Sequence, residues 1–242
     1  MNSLLQQKDY LIGSKKDIEA LKSKDHARVL VVSDVHGKSS ILLNIVKQFG
    51  KSCDALVLCG DCIYDLAELL EQGSENKDFC QLIPPIIGFV QGNGDPSTFP
   101  VSFDIGAQNP NANGMLRGTV LVPPCQKLEV NGKNIFIAHG HHQGVDWGID
   151  RLAYSMKEQN CQIGLFGHTH VPYNLMTENS DSSKCYFVNP GSCARPRGGS
   201  PNSCAIITIE KDFCDVAFIK ILTPLSNNPT FELFTPTLLW LK

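Results

Sequence analysis

The sequence lacks the features of a membrane-spanning, a secreted or a nucleic-acid-coating protein. No apolar run approaches the roughly 20 residues of a membrane helix. There are 21 Lys and Arg against 24 Asp and Glu, so the formal net charge is −3 and no basic field is available to coat nucleic acid. The first residues show no basic segment followed by an apolar stretch, so no signal peptide is expected. We therefore expect a soluble, cytoplasmic protein with no membrane partner and no general nucleic-acid binding.

The sequence also shows no pattern typical of a disulfide framework or a zinc site, although the chain has 10 cysteines. Most of them lie in apolar runs, where cysteine behaves as a small buried hydrophobic residue. Disulfide frameworks are typical of short secreted chains. Cys59 and Cys62 form a CxxC pair, but no second pair with similar spacing completes a zinc knuckle. We expect these thiols to be structural.

The length of 242 residues suits one large domain. We predict a polar N-terminal extension over residues 1–26 and the main domain over 27–222. A tail over 223–242 is apolar for a chain end. It is expected either to pack on the domain or to form a subunit interface in a homo-oligomer.

Apolar segments typical of buried strands alternate with helical patterns along the chain. The predicted strands are 27–33, 55–59, 86–90, 126–130, 133–138, 162–166, 186–188, 205–209 and 215–222. The predicted helices are 15–24, 39–50, 65–72 and 145–159. Asn131-Gly132 predicts a tight hairpin, and residues 96–118 show no periodicity and are predicted to be a long exposed loop. This pattern indicates an α/β domain with mixed sheets in two packed layers covered by helices.

Small polar clusters beside glycine follow five of the predicted strands. They read Asp-Val-His-Gly, Gly-Asp, Gly-Asn-Gly-Asp, His-Gly-His-His and Gly-His-Thr-His, and they begin at residues 34, 60, 92, 139 and 167. The carboxyl edge of an open α/β sheet is where ligands bind. Six of the seven histidines fall in these clusters.

The residue types in these clusters suit metal binding. Carboxylates, imidazoles and an amide oxygen favour Mn²⁺, Fe²⁺, Zn²⁺ or similar ions over a thiolate site. The candidate ligands are Asp34, His36, Asp61, Asn93, His139, His168 and His170. Seven ligands are too many for one four-coordinate ion, so they predict two ions that share a bridging carboxylate. Two such metals about 3.5–4 Å apart can clamp a phosphoryl group.

The ordered motifs SDVHG, GDC, GNGD, HGHH, GHTHVP and VNPGS resemble those of the calcineurin-like metallophosphoesterase superfamily. The resemblance covers residues 28–222 and is closest to the small prokaryotic phosphodiesterase branch, which shares its fold with the retromer sorting subunit of eukaryotes. It implies a four-layer α/β/β/α sandwich of two mixed sheets and a dinuclear metal centre. Mn²⁺ is the expected ion, with Zn²⁺, Fe²⁺ and Ni²⁺ as alternatives.

The resemblance also implies a role for each ligand. Asp34, His36, Asp61 and His170 would hold the first metal, and Asp61 would bridge to a second metal held by Asn93, His139 and His168. A metal-bridging hydroxide would then attack phosphorus in line with the leaving oxygen of a small phosphodiester substrate. Asp61 and Asn93 are thus expected to be catalytic residues as well as ligands.

One position departs from the pattern of the superfamily. Many members carry a histidine after the metal-binding asparagine, where it can protonate the leaving group, but this chain has Gly94. The proton would come from His141, which we predict as a catalytic residue, from water, or not at all. We therefore expect diesters with good leaving groups to be preferred. Arg195 and Arg197 are candidates for phosphate binding, although both also fit solvated loop charges.

Three functions remain open from the sequence. The first is a metal-dependent phosphodiesterase, which the complete ligand set favours. The second is a catalytically weak protein-interaction scaffold of the retromer-subunit type, which Gly94 keeps open. The third is a phosphatase acting on nucleotides or phosphoproteins, which differs from the first only in its substrate.

Overall fold

The computed structural model describes residues 2–106, 108–110, 116–178, 184–211 and 213–236. In chain order the strands are β1 (Ile12–Gly13), β2 (Ala27–Val32), β3 (Ala55–Leu58), β4 (Ile86–Phe89), β5 (Thr98–Val101), β6 (Gln108–Pro110), β7 (Leu116–Leu121), β8 (Cys125–Val130), β9 (Lys133–Ala138), β10 (Ile163–Leu165), β11 (Pro172–Glu178), β12 (Lys184–Pro190), β13 (Ser203–Ile209), β14 (Cys214–Leu222) and β15 (Thr230–Phe234). The helices are α1 (Lys15–Lys22), α2 (Ser39–Phe49), α3 (Ile63–Glu75), α4 (Lys77–Cys80) and α5 (Asp150–Glu158). None of these helices is long and apolar enough to cross a membrane, a finding that covers the described ranges only.

A seven-stranded sheet has the strand order β1-β4-β3-β2-β13-β14-β15. Strands β2, β3 and β4 run parallel, and β13 pairs antiparallel with β2. Successive residues of β2 face opposite sides of the sheet, so Leu30 lies in one apolar cluster and Val31 in another. The continuous apolar run of β2 follows from this burial on both faces.

A five-stranded sheet packs against the first and has the order β11-β12-β10-β9-β8. The predicted hairpin is confirmed: β8 and β9 pair antiparallel around Asn131 and Gly132, which have φ of 48° and 67°. Both residues are left-handed, as a type I′ turn requires. Strands β9, β10 and β12 run parallel.

Three apolar clusters define the layers of the sandwich. The first lies between the helices α2 and α3 and the seven-stranded sheet, and the second lies between the two sheets. The third lies between the five-stranded sheet and α5, where Leu152 and Met156 contact its outer face. The predicted α/β/β/α sandwich is therefore confirmed.

The prediction of a long exposed loop over residues 96–118 is wrong. β5, β7 and β6 form a third, three-stranded sheet, so the fold has more than the two sheets expected. Phe99 and Val101 are buried whereas Thr98 and Pro100 are exposed. This alternation spans only four residues and includes Pro100, so it is a weak signal for a strand in the sequence. Residues 107 and 111–115 of the predicted loop lie outside the described residues.

Other predicted elements differ in their bounds. The helix predicted over 145–159 is divided into a 3₁₀ turn, Val145–Trp147, and α5, because Gly148 between them has φ of 134°. The helix predicted over 65–72 runs through Gly73 to Glu75. Strands β1, β11 and β15 were not predicted. β15 pairs with β14 inside the segment predicted as a tail, whereas residues 237–242 of that tail lie outside the described residues.

Candidate metal centre

The predicted ligands come from the loops that follow five parallel strands of the two sheets. Asp34 and His36 follow β2, and Asp61 and Asn93 follow β3 and β4 of the same sheet. The second sheet supplies its ligands from the loops after β9 and β10: His139, His168 and His170. The structure therefore brings all seven predicted ligands to one place, at the end of the apolar layer between the sheets.

Several of these residues have a left-handed backbone although they carry a Cβ. The φ values are 55° at Asp34, 50° at His36, 51° at Asp61, 69° at His168 and 60° at His170. Such a conformation costs on the order of 1 kcal/mol per residue. Backbone hydrogen bonds hold it: the N–H of Asp34 donates to Gly60 O at 3.1 Å, and the N–H of His36 donates to Asp61 O at 3.0 Å. Strain of this kind clusters at functional sites.

The side chain of Asp34 is buried and only half satisfied. Its Oδ2 accepts from Ser33 Oγ at 2.6 Å and from the N–H of His168 at 3.1 Å. Its Oδ1 is buried without a hydrogen-bond partner, although His170 Nε2 and His36 Nε2 lie 3.1 and 3.7 Å away. Burial alone would raise the pKa of Asp34, but the nearby His170 and His139 bring it below its ordinary value.

Two histidines place Nδ1 on a backbone carbonyl and direct Nε2 toward the carboxylates. His170 Nδ1 lies 2.5 Å from Arg195 O, and His139 Nδ1 lies 2.7 Å from Cys59 O. A carbonyl oxygen only accepts, so each Nδ1 carries a hydrogen, and Nε2 is the ring nitrogen that faces the carboxylates. His139 Nε2 lies 3.7 Å from Asp61 Oδ2.

Asp61 lies between His36 and His139. Its Oδ1 accepts from the N–H of Gly94 at 2.8 Å. Its Oδ2 is 3.7 Å from both His36 Nε2 and His139 Nε2. This central position is the one that a bridging carboxylate would take.

The side-chain amide of Asn93 lies between His139 and His168. Its Oδ1 lies 3.2 Å from His139 Nε2 and 3.1 Å from His168 Nδ1. The Nε2 of His168 faces the carboxylate of Asp146 at 2.9 Å. Asp146 was not among the predicted site residues, because no sequence pattern relates it to a histidine 22 positions later.

The donor set fits divalent cations. Ligand atoms of Asp34, His36 and His170 lie within 4.8 Å of one another, as do those of Asp34, Asp61 and His139. The buried Asp34 Oδ1 has no hydrogen-bond partner, and Nε2 of His170 and Nε2 of His36 lie 3.1 and 3.7 Å from it. This set of carboxylate oxygens and imidazole nitrogens suits Mn²⁺, Fe²⁺ or Zn²⁺. The arrangement can therefore hold metal and present it to a phosphoryl group.

His141 lies beside this centre but is not well suited to donate a proton. Its Nδ1 is buried without a hydrogen-bond partner, and its ring centroid is 4.0 Å from that of His142 and 5.2 Å from that of His139. Burial, followed by the neighbouring histidines, lowers the pKa of His141 to about 4. The ring is thus neutral near pH 7, and its role as the leaving-group acid stays a prediction that this low pKa disfavours.

The two predicted substrate-binding arginines lie differently with respect to the centre. Arg195 borders a cavity of about 240 Å³ that opens on His36 and Asp61 and is also lined by Tyr64 and Gly94. Arg197 does not line this cavity, and its backbone N–H donates to His170 O at 3.2 Å. Only Arg195 therefore borders the space where a substrate would meet the ligands.

Buried polar side chains of the VNPGS motif support the ligand loops. Asn189 Nδ2 donates to Gly167 O at 2.8 Å and to Thr169 Oγ1 at 3.0 Å, directly before His168 and His170. Ser192 Oγ donates to the backbone oxygen of Asp34 at 2.7 Å. These contacts hold the loops after β2 and β10 in place.

Asp65 and Asp95 hold backbone N–H groups of the ligand loops and of the start of α3. The carboxylate of Asp95 accepts from the backbone N–H groups of Cys62 and Ile63 at the start of α3 and from that of Gly92 in the loop after β4. Asp65 accepts from the N–H of Gly37 at 3.1 Å and from Ser39 Oγ at 2.8 Å. These bonds join α3 to the ligand loops.

The CxxC pair has no part in the centre. Cys59 and Cys62 are buried, and burial raises the pKa of both thiols well above the ordinary value. Neither thiol belongs to a group of metal-ligating side chains within the described residues. The interpretation of these thiols as structural agrees with this burial.

Comparison with known proteins identifies a family and several relatives. The model of the calcineurin-like phosphoesterase superfamily domain matches residues 28–212. The probable metallophosphoesterase YsnB of Bacillus subtilis is 25% identical over 190 residues, which cover 78% of this chain and 89% of that protein. The phosphodiesterase YfcE of Escherichia coli K12 is 24% identical over 181 residues, covering 73% and 84%. The structure of vacuolar protein sorting 29 from Cryptosporidium parvum has a TM-score of 0.56 at 15% identity and covers 88% of this chain and 100% of that chain, a likeness of fold alone.

Proposed function

This chain belongs to the calcineurin-like phosphoesterase superfamily, and from that premise we propose that it is a metal-dependent phosphodiesterase with a dinuclear centre. The observation that carries the proposal is the convergence of carboxylate oxygens and imidazole nitrogens around Asp34 and Asp61. A buried carboxylate oxygen without a hydrogen-bond partner, such as Asp34 Oδ1, is costly unless a cation lies close to it. The names of the relatives, a probable metallophosphoesterase and a phosphodiesterase, support the same class of reaction.

The proposed division of ligands follows the two groups of side chains. Asp34, His36 and His170 would hold one ion, and Asn93, His139 and His168 would hold the other, with Asp61 shared between them. Mn²⁺ is the ion we propose, with Zn²⁺, Fe²⁺ and Ni²⁺ as alternatives for this set of oxygen and nitrogen donors. Two such ions would supply an activated water near neutral pH and positive charge for the phosphoryl oxygens.

The substrate would bind in the cavity beside Asp61. Arg195 borders this cavity and would contact a phosphoryl oxygen through its guanidinium group. Gly94, on the same wall, has no side chain that could protonate a leaving group, and its N–H is already donated to Asp61. We therefore propose that the preferred substrates are small phosphodiesters whose leaving groups depart without protonation by this loop.

The proposal is tested by hydrolysis of bis(p-nitrophenyl) phosphate and p-nitrophenyl phosphate. Metal-stripped protein is assayed before and after it is refilled with Mn²⁺, beside Asp61→Asn and the matched control Asp150→Asn, which changes an exposed carboxylate at the start of α5. We expect metal-dependent turnover of the diester that is lost in Asp61→Asn and kept in Asp150→Asn. A higher kcat/KM for p-nitrophenyl phosphate than for the diester would instead favour the phosphatase.

A second candidate function is a protein-interaction scaffold. The likeness of fold to vacuolar protein sorting 29 and the glycine at position 94 favour it. The same assay separates the two functions. If the protein binds two ions but hydrolyses neither ester with Mn²⁺, Zn²⁺, Fe²⁺ or Ni²⁺, the scaffold replaces the phosphodiesterase.

A further inference from the structure

The ring of His168 is oriented differently from the rings of His139 and His170. His139 and His170 each place Nδ1 on a backbone carbonyl and direct Nε2 toward the carboxylates. His168 is reversed: its Nε2 lies 2.9 Å from Asp146 Oδ2 and its Nδ1 lies 3.1 Å from Asn93 Oδ1. The atom of His168 that faces the other ligands is therefore Nδ1.

The partner of His168 decides which ring nitrogen carries the hydrogen. An ionised carboxylate only accepts hydrogen bonds, so Nε2 must donate to Asp146 and the lone pair of a neutral ring then lies on Nδ1. Without the carboxylate, the nearest partner of the ring is Asn93 Oδ1, also an acceptor, which would draw the hydrogen to Nδ1. A hydrogen there would point into the centre and block coordination.

The position of Asp146 is fixed by local structure. It is the middle residue of the 3₁₀ turn Val145–Trp147, which Gly144 and Gly148 flank with φ of 61° and 134°. Val145 is buried in the cluster beneath α5, and its N–H donates to Gly140 O at 3.2 Å. The turn is thus tied to the loop that carries His139, while the carboxylate of Asp146 remains about half exposed, at 49%.

We propose that Asp146 is a positioning residue that holds His168 in the Nε2–H tautomer, so that Nδ1 is free to bind the second metal ion. This inference rests on the proposed dinuclear function. Carboxylates that accept from the outer N–H of a ligating histidine fix the orientation of the ring, and their loss typically reduces metal affinity about 10–100-fold. Asp146 would act through His168 and would not touch the substrate.

The first test is calorimetric titration of metal-stripped protein with Mn²⁺ alone. The variants are Asp146→Asn, Asp146→Ala and the control Asp150→Asn, which removes a charge four residues away. For both Asp146 variants we expect one of the two binding events to weaken about 10–100-fold, with the other unchanged and with the thermal midpoint of the metal-free protein equal to that of the control. Unchanged affinity of both events in both variants would overturn the inference.

The second test reads the tautomer directly in metal-free protein. Two-bond ¹H–¹⁵N spectra of histidine-labelled protein are recorded above the histidine pKa range, with His168→Gln to assign the signal. We expect His168 to carry its hydrogen on Nε2 and to lose this preference in Asp146→Ala, while His139 and His170 keep Nδ1–H in both proteins. A wild-type His168 with Nδ1–H contradicts the inference.

The two tests separate this inference from the proposed function. A wild-type protein that binds no Mn²⁺ overturns both. A wild-type protein that binds two ions and hydrolyses the diester, but whose Asp146 variants bind Mn²⁺ equally well, overturns only the role of Asp146.

Discussion

Two glycines of the loop after β4 approach Asp61 at very different distances. A Cβ on Gly92 would lie 2.0 Å from Asp61 Oδ1 and 2.2 Å from the backbone N of Asp61, whereas a Cβ on Gly94 would lie 3.2 Å from the same oxygen. The first contact cannot form unless Asp61 moves. The second needs a shift of only a few tenths of an ångström.

We predict that alanine reduces the Mn²⁺ affinity strongly at position 92 and only slightly at position 94. Gly92→Ala should displace the carboxylate of Asp61 and reduce Mn²⁺ affinity by at least about tenfold, as disturbed support of a ligand does. Gly94→Ala should leave the affinity within a few-fold of wild type. Titration of both metal-stripped variants with Mn²⁺ measures the difference, and equal affinities would show that Asp61 does not depend on this close approach.

The buried side-chain amide of Asn189 makes three hydrogen bonds, so we expect its substitution to reduce the stability of the fold. Its Nδ2 donates twice and its Oδ1 accepts from the N–H of Gly191 at 2.9 Å. Asn189→Ala should lower the free energy of unfolding by about 1–3 kcal/mol because it leaves these partners unsatisfied. Asn189→Asp should cost more, since a carboxylate oxygen would face Gly167 O. Urea unfolding of both variants measures the order, which a more stable Asn189→Asp would contradict.

At the scale of the elements, α5 is held to the second sheet by a close approach at β10. A Cβ on Gly164 would lie 2.5 Å from Met156 Sδ, so the methionine fills the space that the glycine leaves. Met156 is buried in the cluster between α5 and the sheet. This fit explains a glycine in the middle of a buried strand.

The fit predicts a coupled pair of substitutions. Met156→Ala should cost about 2–5 kcal/mol of unfolding free energy through the cavity it leaves. Gly164→Ala should cost about 1–3 kcal/mol through overpacking. Because each change relieves the other, the double variant should be more stable than the sum of the single effects predicts. Denaturant unfolding of the four proteins tests this, and strict additivity would contradict direct packing.

The elements that the sequence predicted well have signals within a few residues. β2, β3 and β4 are continuous apolar runs, and the β8–β9 hairpin has Asn131-Gly132 at its turn. Elements with weaker local signals were missed. The three-stranded sheet depends on packing against α3 rather than on a long alternation.

The same distinction applies to the site. The predicted ligands each follow an apolar run beside glycine, and their motifs stand in a characteristic order. The supporting residues have no such signal: Asp146 meets His168 from 22 positions away, and Ser192 meets the backbone of Asp34 from 158 positions away. Their roles depend on the tertiary fold, so one sequence could not reveal them.

At the scale of the whole molecule, the centre joins two sheets whose shared interface is largely apolar. One sheet supplies Asp34, His36, Asp61 and Asn93, and the other supplies His139, His168 and His170. A bound ion would therefore connect the two central layers of the sandwich. It would also offset the cost of the unpartnered Asp34 Oδ1 and of the left-handed backbone at this end of the interface.

We therefore expect metal to stabilise the whole fold and not only the loops. An ion that binds the native state alone adds about 2.7 kcal/mol per site at a free concentration of 100 times its Kd, so the thermal midpoint of metal-stripped protein should rise steadily with Mn²⁺. Asp61→Asn should lose most of this rise because Asp61 lies between both groups of ligands, whereas Asp150→Asn should keep it. A midpoint that does not respond to Mn²⁺ in protein shown to bind it would mean that the two sheets hold this end of the molecule together without the ions.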